Sequence, residues 1–262
     1  MAEHLLARLE GLLAKGERLL SRFDPPETPP EELFSRYIAF RWEREGRSGV
    51  FRAISHPDLI DHRDLLGIDG TLEALNRNTR QFVKGFPANN VLLWGERGNG
   101  KSSAIRGLLQ PCAAEGLRLI EVRKEDLWQL HAITALLREL PYRFILFCDD
   151  LSFDESEISY RELKAILDGG LEVRPKNVLI YATSNRRHLL PEHFTDNGGA
   201  AEIHPQEAVS EKISLSDRFG LRLGFYPMQR DVYLEIIRHL AERRGLRIGR
   251  EELEAEAERW GL

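Results

Sequence analysis

Two cysteines, Cys112 and Cys148, are all that 262 residues contain. So small a number excludes a disulfide framework and suits a reducing cytoplasm. Long apolar runs are missing as well. The leucine-rich N-terminus, MAEHLLARLEGLLAKGERLL, is broken by charge every few residues, so it reads as neither a signal peptide nor a transmembrane span, and no membrane partner is expected. Positive charge is not in excess: the formal net charge is -5 and the pI about 6.0. No broad electrostatic grip on DNA or RNA is advertised, while a local basic patch stays open. Internal repeats and low-complexity tracts are absent. So are a helix-turn-helix, a zinc motif, a pore-loop aromatic–glycine motif and the Asn-Lys-x-Asp segment that reads guanine. What is present is an ordinary globular composition, 42% hydrophobic and 30% charged. The length allows one large domain, or one plus a smaller partner.

The most informative stretch is Val91 to Ser103, VLLWGERGNGKSS. A short apolar run enters a turn made of Gly95, Glu96, Arg97, Gly98, Asn99 and Gly100, followed by Lys101, Ser102 and Ser103. This is the pattern G-x-x-x-x-G-K-[ST] between a strand and a helix. Gly98 and Gly100 let the backbone curl so that successive N–H groups face an anion, and the following helix adds its positive dipole end. Lys101 is placed to reach the β- and γ-phosphates of a nucleoside triphosphate, and the Ser102 hydroxyl to ligate Mg²⁺. The alternative is a Gly-rich loop that only turns a strand into a helix. A match to the four fixed residues of this eight-position pattern, in context, favours the phosphate site.

Along the chain, leucines at helical spacing predict a helix over residues 1 to about 22, and DPPETPPEE, from Asp24 to Glu32, predicts a linker. A second helix is expected from Glu32 to about Trp42, with Phe34, Tyr37, Ile38 and Trp42 on one side; Glu43 to Asp61 carries no assignable pattern. Beyond Leu65 strands and helices alternate. A helix is expected from about Thr71, a strand at Val91–Trp94, and a helix to about Leu109 stopped by Pro111. Then come a strand at Leu117–Val122, a helix from Asp126 to Leu140, a strand at Phe144–Cys148, a helix from Ser156 to Leu167, and strands at Val178–Thr183 and Leu221–Tyr226. Two helices, Asp231 to about Arg244 and Arg250 to Trp260, close the chain. Such alternation predicts a three-layer αβα fold on a parallel sheet, with ligands at the carboxyl ends of the strands.

Phe144–Cys148 ends in Asp149 and Asp150. Asp149 would hold Mg²⁺ and Asp150 polarise an attacking water, unless both merely cap the loop. Asn185, after Ser184 at the end of the next strand, would touch the γ-phosphate or orient the water, or else form an ordinary turn. Arg218, in SLSDRFG, reads either as a structural ion pair with Asp217 or Glu211, or as an arginine finger reaching a neighbouring subunit's site. His188, His193 and His204 fall in a polar stretch from Glu192 to Lys212 or beside it, and read as surface-loop residues rather than metal ligands.

These features, in this order, resemble the AAA+ superfamily of ring-forming P-loop ATPases. GERGNGKS is similar to its Walker A motif and FILFCDD to its Walker B motif. TSN resembles sensor 1, with Asn185 at the sensor position, and SDRF the arginine-finger box. Leu65 to Asp69, including Gly67 and Ile68, is similar to the loop that touches adenine. The resemblance covers about Leu65 to Pro227. It implies ATP and Mg²⁺ as cofactors, a homo-oligomeric ring such as a hexamer, with Arg218 acting in trans, and an unidentified protein or nucleic-acid client. More narrowly, ISLSDRFGLRLGFYP and CDDLSF resemble a poorly characterised bacterial AAA+ family known only as ATP-binding. Asp149-Asp150 stands where most protein-remodelling members have Asp-Glu, which resembles helicase loaders and transposition helpers and implies slow hydrolysis. No sensor 2 arginine follows, and the lid is expected to be cut short by the end of the chain. The expected organisation is a helical region over 1–62, a nucleotide-binding core over 63–227 and a partial helical lid over 228–262. An ATPase is expected. A low-turnover nucleotide switch resembling a helicase loader is the alternative, and a small-molecule kinase leaves Arg218 unexplained.

Overall fold

In this computed structural model the described residues are 29–46, 48–153, 158–169, 175–187, 189 and 215–261. The expected first helix, most of the Pro-rich linker, Glu211, and the stretch with His188, His193 and His204 lie outside them.

The chain runs α1 (Glu31–Arg36), β1 (Ala39–Glu45), β2 (Ser48–Ala53), α2 (Asp69–Val83), β3 (Val91–Gly95), α3 (Lys101–Gly107), α4 (Leu109–Cys112), β4 (Leu117–Glu121), α5 (Leu130–Leu137), β5 (Arg143–Cys148), α6 (Ile158–Asp168), β6 (Val178–Ser184), β7 (Leu221–Phe225), α7 (Arg230–Arg243) and α8 (Arg250–Gly261). Short 3₁₀ turns cover His62–Asp64 and Lys124–Gln129. Among the described residues the strands form one seven-stranded sheet in the order β2-β1-β4-β5-β6-β3-β7. All pairings are parallel except β1 with β2. From β3 the chain crosses β6 and β5 to reach β4, then works back to β6 and ends on the far side of β3 as β7. The carboxyl end of β3 is therefore the switch point where a doubly wound sheet opens a crevice.

Both faces of the central strands are covered, which is why they read as continuous apolar runs. Leu92, Ile120, Leu146 and Ile180 pack under Phe34 of α1, Ile133 of α5 and Leu163 of α6. Leu93, Ile145 and Tyr181 pack under Leu75 and Phe82 of α2 and Ile105 of α3. On the second face the Tyr181 hydroxyl accepts from Asn78 Nδ2 at 2.9 Å and meets Thr79 Oγ1 at 2.9 Å, so the buried phenol is satisfied.

The expected αβα core is present, with three corrections. Glu32 to Trp42 is not one helix. The helix stops at Arg36, and Phe40 and Trp42 alternate along β1, which pairs with β4 through Phe40 and Ile120. Phe34, Tyr37, Ile38 and Trp42 match helical spacing by coincidence over a short stretch, and the open edge of β4 decides the outcome. Ala39–Glu45 and Ser48–Ala53 thus supply two strands to the main sheet. Pro111 does not stop a helix either. It lies in the first turn of α4, where its missing N–H costs nothing. The helix expected from Asp126 begins as a 3₁₀ turn and becomes α-helical at Leu130.

Helices α7 and α8 lie against each other through Tyr233 Oη to the Ala257 carbonyl at 3.0 Å and Arg238 to Glu254 at 3.0 Å. The pair is tied to the core by Asp64, which faces His239 Nε2 at 2.7 Å and accepts from Arg243. Burial pushes the Asp64 carboxyl up, but hydrogen bonds from His239 and Arg243 outweigh it and hold the group below the usual carboxylate range.

Candidate nucleotide site

The site begins with steric facts about β3. Gly95 has φ +143°, and a Cβ there would lie 2.0 Å from the Phe225 carbonyl oxygen on β7. Only glycine lets the phosphate loop leave the sheet so close to its neighbour. Gly98 and Gly100 have φ +80° and +85°, and Gly100 caps α3 in the left-handed conformation. The loop is thereby curled ahead of the helix that starts at Lys101.

Lys101 is 7% exposed. Its Nζ donates to the carbonyls of Gly95 at 2.7 Å and Glu96 at 2.6 Å, and to Asn185 Oδ1 at 3.3 Å. Burial pushes its pKa down, Asp150 and Asp149 push it back, and Arg97 lowers it further; the net direction is downward. Ser102 Oγ donates to Asp149 Oδ1 at 2.6 Å, and Thr183 Oγ1 donates to the same oxygen at 2.5 Å. The Asp150 N–H donates to Thr183 Oγ1 at 2.8 Å, so one hydroxyl sets both carboxylates. Asp150 is the single non-glycine residue with positive φ among the described residues, at φ +51°. Its side chain accepts from Asn185 Nδ2 and from Arg97 at 3.2 Å. A residue in a sparsely populated conformation, held by three neighbours, is characteristic of a working site.

The structure brings Lys101, Ser102, Asp149, Asp150 and Asn185 together in one mouth, a cleft of about 330 Å³ that Arg97 also lines. The sequence reading missed Thr183, although a hydroxyl at a strand end beside an acidic strand end is a usable signal. Glu96 contributes its carbonyl to Lys101. Asn99 Nδ2 donates to the Tyr226 carbonyl at 3.1 Å. Ser103 lines the same mouth. Leu65 and Gly67 sit between the loop and α7: Leu65 Cδ2 is 3.6 Å from a Cβ built on Gly100, and one built on Gly67 would meet Val232 at 2.5 Å. Ile68, half-buried, packs on the α2 side of the core.

His62, whose role the sequence did not reveal, braces the helix that carries Lys101. Its Nε2 lies 2.8 Å from the Ala104 carbonyl and its Nδ1 3.0 Å from Asn76 Nδ2. A carbonyl only accepts and an amide nitrogen only donates, so the pair selects the neutral Nε2–H tautomer. The ring lies 2.3 Å from where a Cβ on Gly107 would be, so glycine there is a packing requirement.

Arg218 does not join this site. It precedes β7, whose carboxyl end lies beside the loop, and it pairs with Asp168 at the last residue of α6. Asp217, offered above as its partner, pairs with Arg222 instead. Five β7 residues rising about 3.3 Å each separate Arg218 from its own phosphate loop by roughly 16 Å.

Ser102 and Asp149 offer a hydroxyl and a carboxylate already within hydrogen-bond distance of each other, a hard oxygen pair of the kind Mg²⁺ prefers. The donor set therefore fits the expected ion. Among the described residues no group of three or more His, Cys, Asp or Glu is arranged to hold a metal. No helix among them is long and apolar enough to cross a membrane.

Comparison with known proteins bears on the family and the fold. A family model described as "Protein of unknown function (DUF815)" matches residues 35–262. No curated protein matches significantly. Among solved structures, the Thermotoga maritima RuvB Holliday junction branch migration motor is similar at TM-score 0.53 and 18% identity, over 75% of this chain and 58% of that one. The FIGL-1 AAA domain, solved in complex with ADP, is similar at TM-score 0.52 and 21% identity, over 78% of this chain and 68% of that one. At such identities the likeness is one of fold, and the chain spans little over half the length of the RuvB chain.

Proposed function

The chain belongs to the DUF815 family and its core has the AAA+ P-loop fold; from that premise we propose that it binds ATP with Mg²⁺ and hydrolyses it. The observation that carries this reading is the convergence of Lys101, Ser102, Asp149, Asp150 and Asn185 on one mouth at the carboxyl ends of β3, β5 and β6. Lys101 exchanges its two loop carbonyls for β- and γ-phosphate oxygens. The curled loop and the N-terminus of α3 take up the remaining charge. Ser102 and Asp149 would hold Mg²⁺, which supplies charge neutralisation along the phosphates when bound. Asp150 accepts the proton of the attacking water, and Asn185 fixes that water and the Asp150 carboxylate together. Leu65, Gly67 and Ile68 border the space open to the base. Arg218 acts on the site of a neighbouring copy in a homo-oligomeric ring, which is the geometry its distance from its own loop favours. The resulting motion loads or remodels a protein or nucleic-acid client in the cytoplasm.

A low-turnover binding switch is the second reading. The restraint of Asp150 by Arg97 and Asn185 favours it, because a pinned base is slow to engage water. The deciding experiment is ATP turnover per chain against protein concentration, with oligomeric state followed in parallel. Turnover that rises with assembly is expected. Tight binding with negligible turnover at every concentration would replace the ATPase with the switch.

A further inference from the structure

We infer that Asp168 is the positioning residue for Arg218, holding its guanidinium toward the face that meets a neighbouring copy; this rests on the reading of Arg218 as a residue acting in trans.

A carboxylate in the last turn of a helix sits at the negative end of the dipole and is unfavourable there. Asp168 occupies that position in α6, immediately before Gly169 at φ +72°. Such a local cost is offset where a cation is brought to it, and the cation is Arg218, 50 residues away in sequence. Three contacts make the arrangement directional. Asp217, the adjacent acid, is engaged by Arg222 and does not compete. Phe219, 2% exposed, anchors the backbone on the other side of Arg218. Gly220 then passes so close to Asn89 that a Cβ would meet its Oδ1 at 2.4 Å. The backbone at Arg218 is thus clamped, and Asp168 aims the side chain. Arg218 is 24% exposed, and both residues line an open cleft of about 640 Å³ with Phe86, Asn89 and Lys176, none of which borders the phosphate-loop mouth. An arginine that stabilises charge in another subunit's site depends on position, since a displacement of about 1 Å can cost on the order of 100-fold in rate.

The test is steady-state ATP turnover and nucleotide affinity of the full chain, for wild type, Asp168→Asn, Arg218→Ala and the double variant. Asp168→Asn is expected to lower kcat in the assembled state by about 10- to 100-fold. KM, monomer ATP affinity and Tm stay at wild-type values, and the double variant is no slower than Arg218→Ala alone. Mixing Asp168→Asn chains with Asp150→Asn chains should restore turnover above that of either alone, because the second chain presents an intact Arg218 to the first chain's intact site. If Arg218→Ala abolishes turnover while Asp168→Asn leaves kcat unchanged, the assignment of Asp168 is wrong and the trans reading stands. If Arg218→Ala turns over like wild type, or the wild type does not turn over at all, the trans reading falls and this one with it. If Asp168→Asn lowers Tm or affinity together with kcat, and mixing restores nothing, Asp168 only holds the fold.

Discussion

Lys101 is the residue on which the proposed chemistry turns. Losing a charged hydrogen-bonding partner of the phosphates costs about 1.5–3 kcal/mol, so Lys101→Ala should weaken ATP affinity by roughly 10- to 100-fold, read by titration with a fluorescent ATP analogue. Asp150→Asn should keep the affinity and lose turnover by about 10²- to 10⁴-fold, the usual weight of a general base; unchanged turnover in an assay of phosphate release would remove Asp150 from that role. At this scale much was legible. The glycines, Lys101, Ser102 and the paired acids carry a pattern that contiguous sequence records. Thr183, His62 and Asp168 were not legible, because each acts on a residue more than 15 positions away or through a backbone carbonyl, and no local pattern marks that. The two thiols are a further residue-scale case. Burial pushes Cys148 up to about 12 and raises Cys112 too, and both are at most 1% exposed. Neither should react with a maleimide at pH 7.5 until the chain is unfolded by guanidinium, as mass spectrometry would show.

At the scale of elements, the central strands β3, β5 and β6 announced themselves because burial on both faces leaves no polar alternation to confuse them. The β1–β2 hairpin did not. Its alternation is short, Gly49 carries no side chain to extend it, and its fate depends on pairing with a strand 80 residues later. Trp42 shows what that pairing achieves. It is 1% exposed, its Nε1 donates to Gln129 Oε1 at 2.7 Å, and Gly49 makes room for its ring. Trp42→Ala should destabilise the fold by about 3–5 kcal/mol in a denaturant titration, as a core residue does. The brace on α3 makes a separate case. Gly107→Ala should cost about 1–3 kcal/mol by overpacking against His62. Most of the cost should disappear in a His62→Ala background, because the two shortest contacts are with that ring and only the Ile60 carbonyl, 3.0 Å from the added Cβ, remains; an undiminished cost would place the strain elsewhere.

For the whole molecule, the helical pair α7–α8 touches the core at the 3₁₀ turn His62–Asp64 and at Gly67. Through His62 the same turn braces the helix behind the phosphate loop. The position of the α7–α8 pair and the geometry of the loop are therefore joined at one place. The two helices were legible from their periodicity. The partners of Asp64 on α7 were not, since Arg243 is one of several arginines in that region and only the fold selects it.

One feature of the resting loop has a kinetic meaning. The three donors of the Lys101 ammonium are already engaged by Gly95, Glu96 and Asn185, so an arriving phosphate has to displace internal acceptors instead of occupying a vacancy. Association then has a first-order step built into it. In stopped-flow mixing, the observed rate should level off as nucleotide concentration rises, and the plateau is the rate at which the chain lets go of itself.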